Sequence, residues 1–250
     1  MGGGSPRFLF GISKLDNRIK LVATMDDDVT YEKDAINNMI DFWNECDNNT
    51  AGVGFNIINL QKIKYNWVSG VLGFSSKDPG KVLKSGFSTS ISNVSENCQV
   101  EWLNGGATVW LKEILIQNKH KEMNMSWAVG EDLIFSYPLG LKYPLFICAE
   151  AKVNIEEVIV DKEPRKFYNN MGESLFSMGL NFVVHNNDMS RIKFILHYLL
   201  YVISLVIKGI IKFDISRYYI AFGIIKSFIK NFHLLILFSR SSSESQFIIK

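Results

Sequence analysis

The sequence predicts an α/β protein in which a mixed sheet is flanked by helices and followed by C-terminal amphipathic helices. Three features predict this class. Short apolar runs rich in β-branched residues alternate with helix-like segments between residues 19 and 153. One such run, 19–25, ends abruptly in three aspartates. Residues 189–250 instead contain long apolar runs with scattered basic residues, a pattern typical of helices that bury one face.

Length and composition favour one large globular domain with an appendage. The 250 residues suffice to bury a sizeable core, and 47% hydrophobic with 21% charged residues is typical of globular proteins. The net charge of +2 hides an asymmetry: residues 189–250 carry nine Lys or Arg and two acids, so residues 1–188 carry −5. An acidic front and a basic tail indicate two different functions. Nucleic-acid binding is not expected, because the basic residues are interleaved with aliphatic ones.

The three cysteines predict free thiols in a reducing compartment. They are scattered, and their spacing fits neither a metal site nor a disulfide framework. Cys148 lies in an apolar run and is expected in the core. Residues 1–6 lack the basic segment and apolar run of a signal peptide, and Pro6 stands where a myristoylation signal requires Ser or Thr. These features favour a cytoplasmic protein.

The first part of the chain is predicted to alternate strands with helices. Residues 19–25 have the length and composition of a buried strand. Residues 30–45 have apolar side chains near helical spacing, with Asp28 or Thr30 as the expected N-cap. Further along, the patterns predict a strand over 51–60, a strand or hairpin arm over 62–74, a turn at 77–80 and a polar loop over 85–97.

The next part is expected to place glycines between a strand and a helix. Residues 100–103 read as a short strand and residues 109–118 as a helix, with Gly105 and Gly106 between them. Paired glycines let a backbone approach a ligand closely, although such pairs are common in ordinary turns. The remaining patterns predict a helix over 133–139, a strand over 145–153 and a polar helical segment over 161–185.

Two acidic clusters are candidate ligand-binding positions. Asp26, Asp27 and Asp28 follow a strand directly, and three adjacent carboxylates repel one another. Mg²⁺ or Mn²⁺ would relieve that repulsion, and the carboxyl end of a strand is where open α/β sheets bind ligands. The alternative is a solvated acidic turn that caps the next helix. Glu131 and Asp132 open the helix over 133–139, and their alternative role is to stabilise its first turn.

The apolar tail predicts helices that lie on a membrane. Residues 192–211, 215–229 and 232–238 are apolar runs flanked by Lys or Arg. The uninterrupted part of the first run is a little short of the ~20 residues that span a bilayer. We therefore favour helices lying on an anionic membrane surface, with basic residues among the head groups. A spanning helix near 194–211 and an ordinary helical cap over the sheet remain alternatives.

Three motifs in this order resemble family 2 glycosyltransferases of the GT-A (Rossmann-like) fold. They are the aspartate triplet at 26–28, Trp102 with the glycines at 105–106, and the Gly-Glu-Asp segment at 130–132. The resemblance covers residues 7–155. It implies a metal-dependent inverting glycosyltransferase, which moves a sugar from a nucleotide-sugar to a glycan or lipid-linked acceptor in bacterial surface polysaccharide synthesis.

The resemblance also implies a role for each motif residue. Asp28 would hold Mn²⁺ or Mg²⁺, with Asp26 in the metal shell or on the nucleotide ribose. Asp132 matches the family's general base. Trp102 and Trp127 would stack on a sugar ring, unless they belong to the core. The implied donor-binding residues are Asp26, Asp27, Gly105, Gly106 and Arg7, and the acceptor-side residues are Trp102, Trp127 and Glu131.

The domain organisation expected from these patterns has three parts. Residues 1–160 would form a GT-A-like catalytic domain, 161–188 a helical connection and 189–250 a basic, membrane-associated tail. Twenty-five residues precede Asp26, fewer than in the family, so we expect the N-terminal nucleotide-binding strand to be missing. Asn154 follows Val153, where many relatives place a metal-binding His.

These departures leave two alternatives to an active transferase. One is a truncated, inactive glycosyltransferase-like protein that associates with membranes. The other, weaker alternative is a nucleotidyltransferase with a similar sheet. The sequence lacks the Gly-rich, basic N-terminal loop expected for that second class.

Overall fold

The computed structural model describes residues 11, 12, 14–60, 65, 67–118, 130–156 and 163–237. These residues divide into two compact units. The first unit takes its described residues from 11–82, 88–118 and 131–156. The second unit contains 83–87, 130 and 163–237. Arg7 and Trp127 lie outside the described residues.

The first unit is built on a six-stranded mixed sheet, which confirms the α/β class. Its strands are β1 (Leu21–Met25), β2 (Val29–Tyr31), β3 (Gly52–Ile57), β4 (Cys98–Val100), β5 (Ala107–Leu111) and β6 (Leu145–Ile155). The order is β1-β5-β3-β6-β2, and β4 also pairs with β6. Only the β3–β6 pairing is parallel among these strands; the others are antiparallel.

Helices flank this sheet, and three more helices form the second unit. The first unit contains α1 (Ala35–Glu45), α2 (Trp67–Val71), α3 (Lys112–Gln117) and α4 (Glu131–Gly140). The second unit contains α5 (Pro164–His185), α6 (Arg191–Lys212) and α7 (Ile215–Leu237). The predicted helical segment over 161–185 and the helical tail are therefore confirmed within the described residues.

Period-two alternation divides the core of the first unit between the two faces of the sheet. Val53 and Phe55 of β3 and Val109 of β5 pack with α1 in one cluster. Trp110 of β5 and Leu145 of β6 belong to the other cluster, which includes Leu139 of α4 and Ile114 of α3. The sheet therefore has helices on both faces, with α4 on the side opposite α1.

The structure corrects the predictions for residues 30–45 and 62–74. The helix predicted over 30–45 begins only at Ala35, because Asp34 has a left-handed backbone (φ 62°), and neither Asp28 nor Thr30 caps it. Residues 29–31 form β2, which pairs with the end of β6. The strand or hairpin arm predicted over 62–74 contains the helix α2 at 67–71.

The helix predicted over 109–118 was wrong in its first half. Residues 107–111 form β5, and only Lys112–Gln117 is helical. Alternating side chains explain the strand: Ala107 and Val109 face one core cluster while Trp110 faces the other. The predicted strand over 100–103 lies slightly earlier, at Cys98–Val100.

Several local predictions are confirmed. β1, β3 and β6 fall within or overlap the predicted strands. The predicted burial of the first strand was wrong, because β1 lies at the edge of the sheet and leaves Leu21 and Ala23 exposed. Gly80 has a left-handed backbone (φ 64°) at the turn predicted at 77–80. All three cysteines are free, and Cys148 is buried.

The second unit is a bundle of three long helices. α7 packs closely along α5, where the main chain of Asn169 approaches Gly223 and that of Ile220 approaches Gly172. α6 is long and apolar enough to cross a membrane by length and composition, with a mean hydropathy of 2.1 over its most apolar window. Only 22% of that window is buried. This helix is therefore suited to membrane association.

Candidate active site

The aspartate triplet forms a tight turn between β1 and β2. The amide of Asp26 donates to the carbonyl of Gly106 at 2.9 Å, which extends the β1–β5 pairing by one residue. The amide of Val29 donates to the carbonyl of Asp26 at 3.4 Å, and that of Glu156 donates to the carbonyl of Asp28 at 2.9 Å. The turn is thus fixed by the backbones of β5 and of the segment after β6, and it caps no helix.

The two glycines precede a strand rather than a helix. Gly105 and Gly106 lead directly into β5, so the expected helix N-terminus at this point is absent from the described structure. Their missing side chains have a steric reason. A Cβ on Gly105 would collide with Asp132 Oδ1, and a Cβ on Gly106 would collide with Asp26 Oδ2. Each glycine therefore makes room for one carboxylate.

Helix α4 is aligned along the segment that leads to these glycines. Gly140, Ser136 and Asp132 lie on one face of α4, four residues apart. Gly140 approaches the carbonyl of Glu101, and Ser136 Oγ accepts from the amide of Leu103 at 2.9 Å. Asp132 then meets Gly105. Four residues of α4 rise about 6.0 Å along the helix axis, and two residues of an extended chain span about 6.6 Å. Contacts every four residues of α4 therefore match contacts every two residues of the segment over 101–105.

Ser136 is a site residue that the sequence motifs did not identify. Its hydroxyl group is fully buried, accepts from the Leu103 amide, and lies 3.1 Å from the Leu103 carbonyl and 2.6 Å from the Asp132 carbonyl. It therefore ties the first turn of α4 to the extended segment. The available signal was its position, one helical turn after Asp132 and among apolar neighbours.

These contacts bring two sequence-distant carboxylates into one neighbourhood. Adjacent Cα atoms are 3.8 Å apart, so the contacts at Gly105 and Gly106 limit the Asp26–Asp132 carboxylate separation to no more than about 11 Å. The charge of Asp26 also acts on the titration of Asp132. Both carboxylates therefore lie against the backbone of the same two glycines.

The environment of Asp132 favours its neutral form. Burial raises the pKa of its carboxyl group to about 6 from an ordinary 3.8, and the charges of Glu131 and Asp26 add to the increase. A hydrogen bond from the Gly105 amide opposes the shift because it stabilises the carboxylate. A carboxylate with this pKa is mostly ionised at neutral pH and is a stronger base than an exposed aspartate.

Asp26 is also perturbed, and mainly by partial burial. The residue as a whole is exposed, but its carboxyl group lies against Gly106, and this contact with the protein raises its pKa. The negative charge of Asp28 raises it further, followed by a smaller contribution from Asp27. The repulsion expected from the sequence is therefore present in the folded chain.

The carboxylates of this turn fit a divalent ion only if phosphate oxygens and water complete its coordination shell. Among the described residues, no three His, Cys, Asp or Glu side chains come together as a group that could hold a metal. Mg²⁺ and Mn²⁺ need no such group when one or two carboxylates are supplemented by phosphate oxygens and water. The mutual repulsion at Asp26 and Asp28 is what a cation would relieve, so Asp26 and Asp28 are the residues suited to hold it.

Asn154 lies close to the triplet but is engaged elsewhere. It is paired with Thr30 in the β2–β6 register, and its amide donates to Glu32 Oε1 at 2.6 Å. The position where the family resemblance implies a metal-binding His is therefore beside the turn. In this chain an Asn–Glu hydrogen bond occupies it.

The acceptor-side residues are only partly described. Trp102 is half-buried, packs against the core and donates from its indole nitrogen to the Thr89 carbonyl at 3.2 Å. These contacts fit the core alternative for Trp102, and its stacking on a sugar ring stays a prediction. Glu131 is half-buried in the first turn of α4, next to Asp132. Arg7 and Trp127 are not among the described residues, so their predicted roles remain predictions.

The comparisons with known proteins add no relative to this picture. The sequence matches no protein-family model and no curated protein.

Proposed function

We propose that this chain is a metal-dependent inverting glycosyltransferase of the family 2, GT-A type. It would transfer a sugar from a nucleotide-sugar to a glycan or lipid-linked acceptor, in bacterial surface polysaccharide synthesis. The observation that carries the proposal is the pairing of Asp26 with Gly106 and of Asp132 with Gly105. It brings the acidic turn at the end of β1 and the carboxylate of Asp132, whose pKa is raised to about 6, against two consecutive glycines.

Each residue has one task in this reaction. Asp28 and Asp26 would hold Mn²⁺ or Mg²⁺, which would offset the negative charge of the departing nucleoside diphosphate. Gly105 and Gly106 are assigned to donor binding by resemblance, and the space of each missing side chain holds the carboxylate of Asp132 or Asp26. Asp27 and Arg7 are assigned to donor binding by resemblance alone. The assignment of Glu131, Trp102 and Trp127 to the acceptor side has the same basis.

Asp132 supplies the base. Its carboxylate takes the proton from an acceptor hydroxyl group while that oxygen bonds to the anomeric carbon. The bond from the anomeric carbon to the phosphate oxygen breaks at the same time, and the diphosphate leaves with the electron pair. Attack from the face opposite the leaving group inverts the configuration.

The proposed location is the cytoplasmic face of the cell membrane, with the helical tail peripheral to the bilayer. The length and apolar composition of α6 support it, together with the basic charge of residues 189–250. A lipid-linked acceptor would be available there.

Calorimetry on the full chain in detergent tests the proposal. Nucleoside diphosphates (UDP, GDP, ADP, CDP and dTDP) are titrated with and without Mn²⁺. We expect one of them to bind only in the presence of Mn²⁺. If none binds under either condition, the chain is instead the inactive, transferase-like alternative.

A further inference from the structure

Helix α6 has apolar side chains on two opposite faces. Its inner face is buried, at Phe194, Tyr198, Leu205 and Gly209. Phe194 and Tyr198 contact the ring of Phe176 on α5, with centroid distances of 5.3 and 4.9 Å. This face accounts for only part of the apolar surface of α6.

The outer face of α6 is a continuous exposed stripe. Eight large aliphatic residues lie along it at intervals of one, three or four positions, and each is at least 41% exposed. At 100° per residue they cover an arc of about 120°, centred roughly opposite the buried residues. They are Ile192, Leu196, Leu199, Leu200, Ile203, Ile207, Ile210 and Ile211.

Helix α7 repeats this arrangement. Its buried positions include Ala221, Ile224 and Ser227. Six large residues are exposed at intervals of three and four, and Phe213, in the turn before the helix, is 95% exposed. The exposed residues of α7 are Ile215, Tyr218, Phe222, Ile225, Ile229 and Phe232. We call these six, Phe213 and the eight residues of α6 the outer apolar surface.

This surface is larger than a soluble monomer usually leaves in water. The eight side chains of the α6 stripe, between 41% and 80% exposed, alone amount to on the order of 700 Å² of apolar area, whereas soluble monomers rarely expose a contiguous patch of more than about 600 Å². Such an area needs a partner that is itself apolar.

The charge around this surface indicates which partner it is. Residues 191–237 contain seven Lys or Arg and a single acid, Asp214. Asp214 is paired with Arg217 at 2.9 Å. Exposed lysines lie near both ends of α6 and on α7, at 193, 208, 212 and 230. Cations beside an apolar stripe complement anionic lipid, which offers phosphate groups above hydrocarbon.

The polar neighbours of α6 argue against a spanning orientation. The amide of Ser190 donates to the Lys84 carbonyl at 2.7 Å. The rings of Phe87 and His197 are stacked, with their centroids 3.5 Å apart. On α7, Lys226 pairs with Glu173 of α5 at 2.6 Å. A helix that crossed the bilayer in this bundle would carry His197 and the Lys226–Glu173 pair into hydrocarbon, at high cost.

We propose that the outer apolar surface of α6 and α7 docks in the plane of an anionic lipid bilayer, with the exposed lysines among the head groups. This inference rests on the membrane location within the proposed function and not on the transferase chemistry. Its test needs no nucleotide or sugar, so either proposal can fail alone.

Vesicle flotation of the full chain is the first test. Neutral phosphatidylcholine vesicles are compared with vesicles in which a third of the lipid is phosphatidylglycerol. The variant I203D/I207D places two charges on the outer apolar surface and should lower the partition coefficient at least about tenfold. The control I36D/I40D has the same spacing and similar exposure on α1, at 53% and 51% against 46% and 50%. It should bind as the wild type does.

A second variant separates the two parts of the interaction. The change K208Q/K212Q should weaken binding to anionic vesicles by about fivefold per lysine and leave binding to neutral vesicles unchanged. Circular dichroism checks that each variant is folded. Equal partitioning of I203D/I207D and wild type would overturn the proposal. A second contrary result is a wild-type protein that does not float and forms an oligomer, together with an I203D/I207D variant that is monomeric. The outer apolar surface would then bind a second copy of the chain.

Depth measurements decide the orientation. Nitroxide labels at L196C, I203C and I210C share one face of α6 and are spaced seven residues apart, in a C46S/C98S background in which the buried Cys148 remains. An in-plane helix should give three equal, shallow depths. A label at 203 that lies much deeper than the other two would show a spanning helix and overturn the in-plane docking.

Discussion

The main-chain amide of Gly105 donates a hydrogen bond to the carboxylate of Asp132. The next residue, Gly106, bonds through its carbonyl to the amide of Asp26 at 2.9 Å. Two consecutive glycines thereby connect the end of β1 with the first turn of α4. The chemistry proposed for this chain depends on that connection, and so do most of the predictions that follow.

Replacing Asp132 by Asn should remove the base and retain the binding site. We expect kcat to fall by about 10²- to 10⁴-fold, because the acceptor hydroxyl group loses its proton acceptor. Mn²⁺-dependent nucleotide binding, measured by calorimetry, should change little. Asp41→Asn, an exposed position on α1, is the control. Wild-type turnover in Asp132→Asn would show that another group is the base.

The same residue should control the pH dependence of activity. Burial raises the pKa of Asp132 to about 6, and a general base must be ionised. The value of kcat/KM should therefore rise as the pH increases through about 6 and be constant above it. A profile that is already flat between pH 5 and 7 would contradict this assignment.

Asp132 should make the stability of the chain fall with rising pH, whereas it makes the activity rise. The pKa of this carboxyl group is higher in the folded chain than the ordinary value of 3.8, so its stabilising contribution is fully present below about pH 4 and is lost as the pH rises through about 6. Asp132→Asn should therefore raise the free energy of unfolding by about 1–3 kcal/mol at pH 8 and not at pH 4. Denaturant titrations at both pH values measure this. An equal effect at the two values would be the contrary result.

Alanine at either glycine should separate the two halves of the site. Gly106→Ala collides with Asp26 and should weaken Mn²⁺-dependent nucleotide binding, while Gly105→Ala collides with Asp132 and should lower kcat. Each collision should also cost about 1–3 kcal/mol of stability, as overpacking does. Gly11→Ala, where an added Cβ meets nothing within 4 Å, is the control. Unchanged binding in Gly106→Ala would show that Asp26 does not contact the donor.

Ser136 is predicted to position Asp132. Ser136→Ala leaves the Leu103 amide without its hydroxyl partner, which should cost about 1–3 kcal/mol and loosen the Gly105–Asp132 hydrogen bond. That hydrogen bond lowers the pKa of Asp132, so the acidic limb of the rate profile should move to higher pH. The control Ser174→Ala removes a buried hydroxyl group from α5. It should destabilise the chain without moving the acidic limb of the rate profile.

The metal assignment is tested at Asp28. With Mn²⁺ and the nucleoside diphosphate that binds, the melting temperature of the wild type should rise, since a ligand that binds only the folded state stabilises it. Asp28→Asn should lose most of this increase, and Asp41→Asn should keep it. Thermal unfolding with and without Mn²⁺ makes the comparison. A full increase in Asp28→Asn would remove Asp28 from the metal site.

Much of the fold follows from local patterns. The apolar runs that became β3 and β6 are long enough to be recognised alone, and the same is true of the α5 segment and the tail helices. β2 was not predictable in this way, because three residues form a strand only by pairing with β6. β5 was mistaken for the start of a helix, since its alternation is short and runs directly into α3.

By itself, the sequence determined that three aspartates end a strand, that Glu131 and Asp132 open a helix, and that the tail is apolar and basic. Those properties depend on neighbours in the chain. Only the tertiary structure decided that Asp26 and Asp132 meet at adjacent glycines and that one face of α6 stays uncovered. Both outcomes depend on contacts between segments far apart in sequence, which no local pattern of residues encodes.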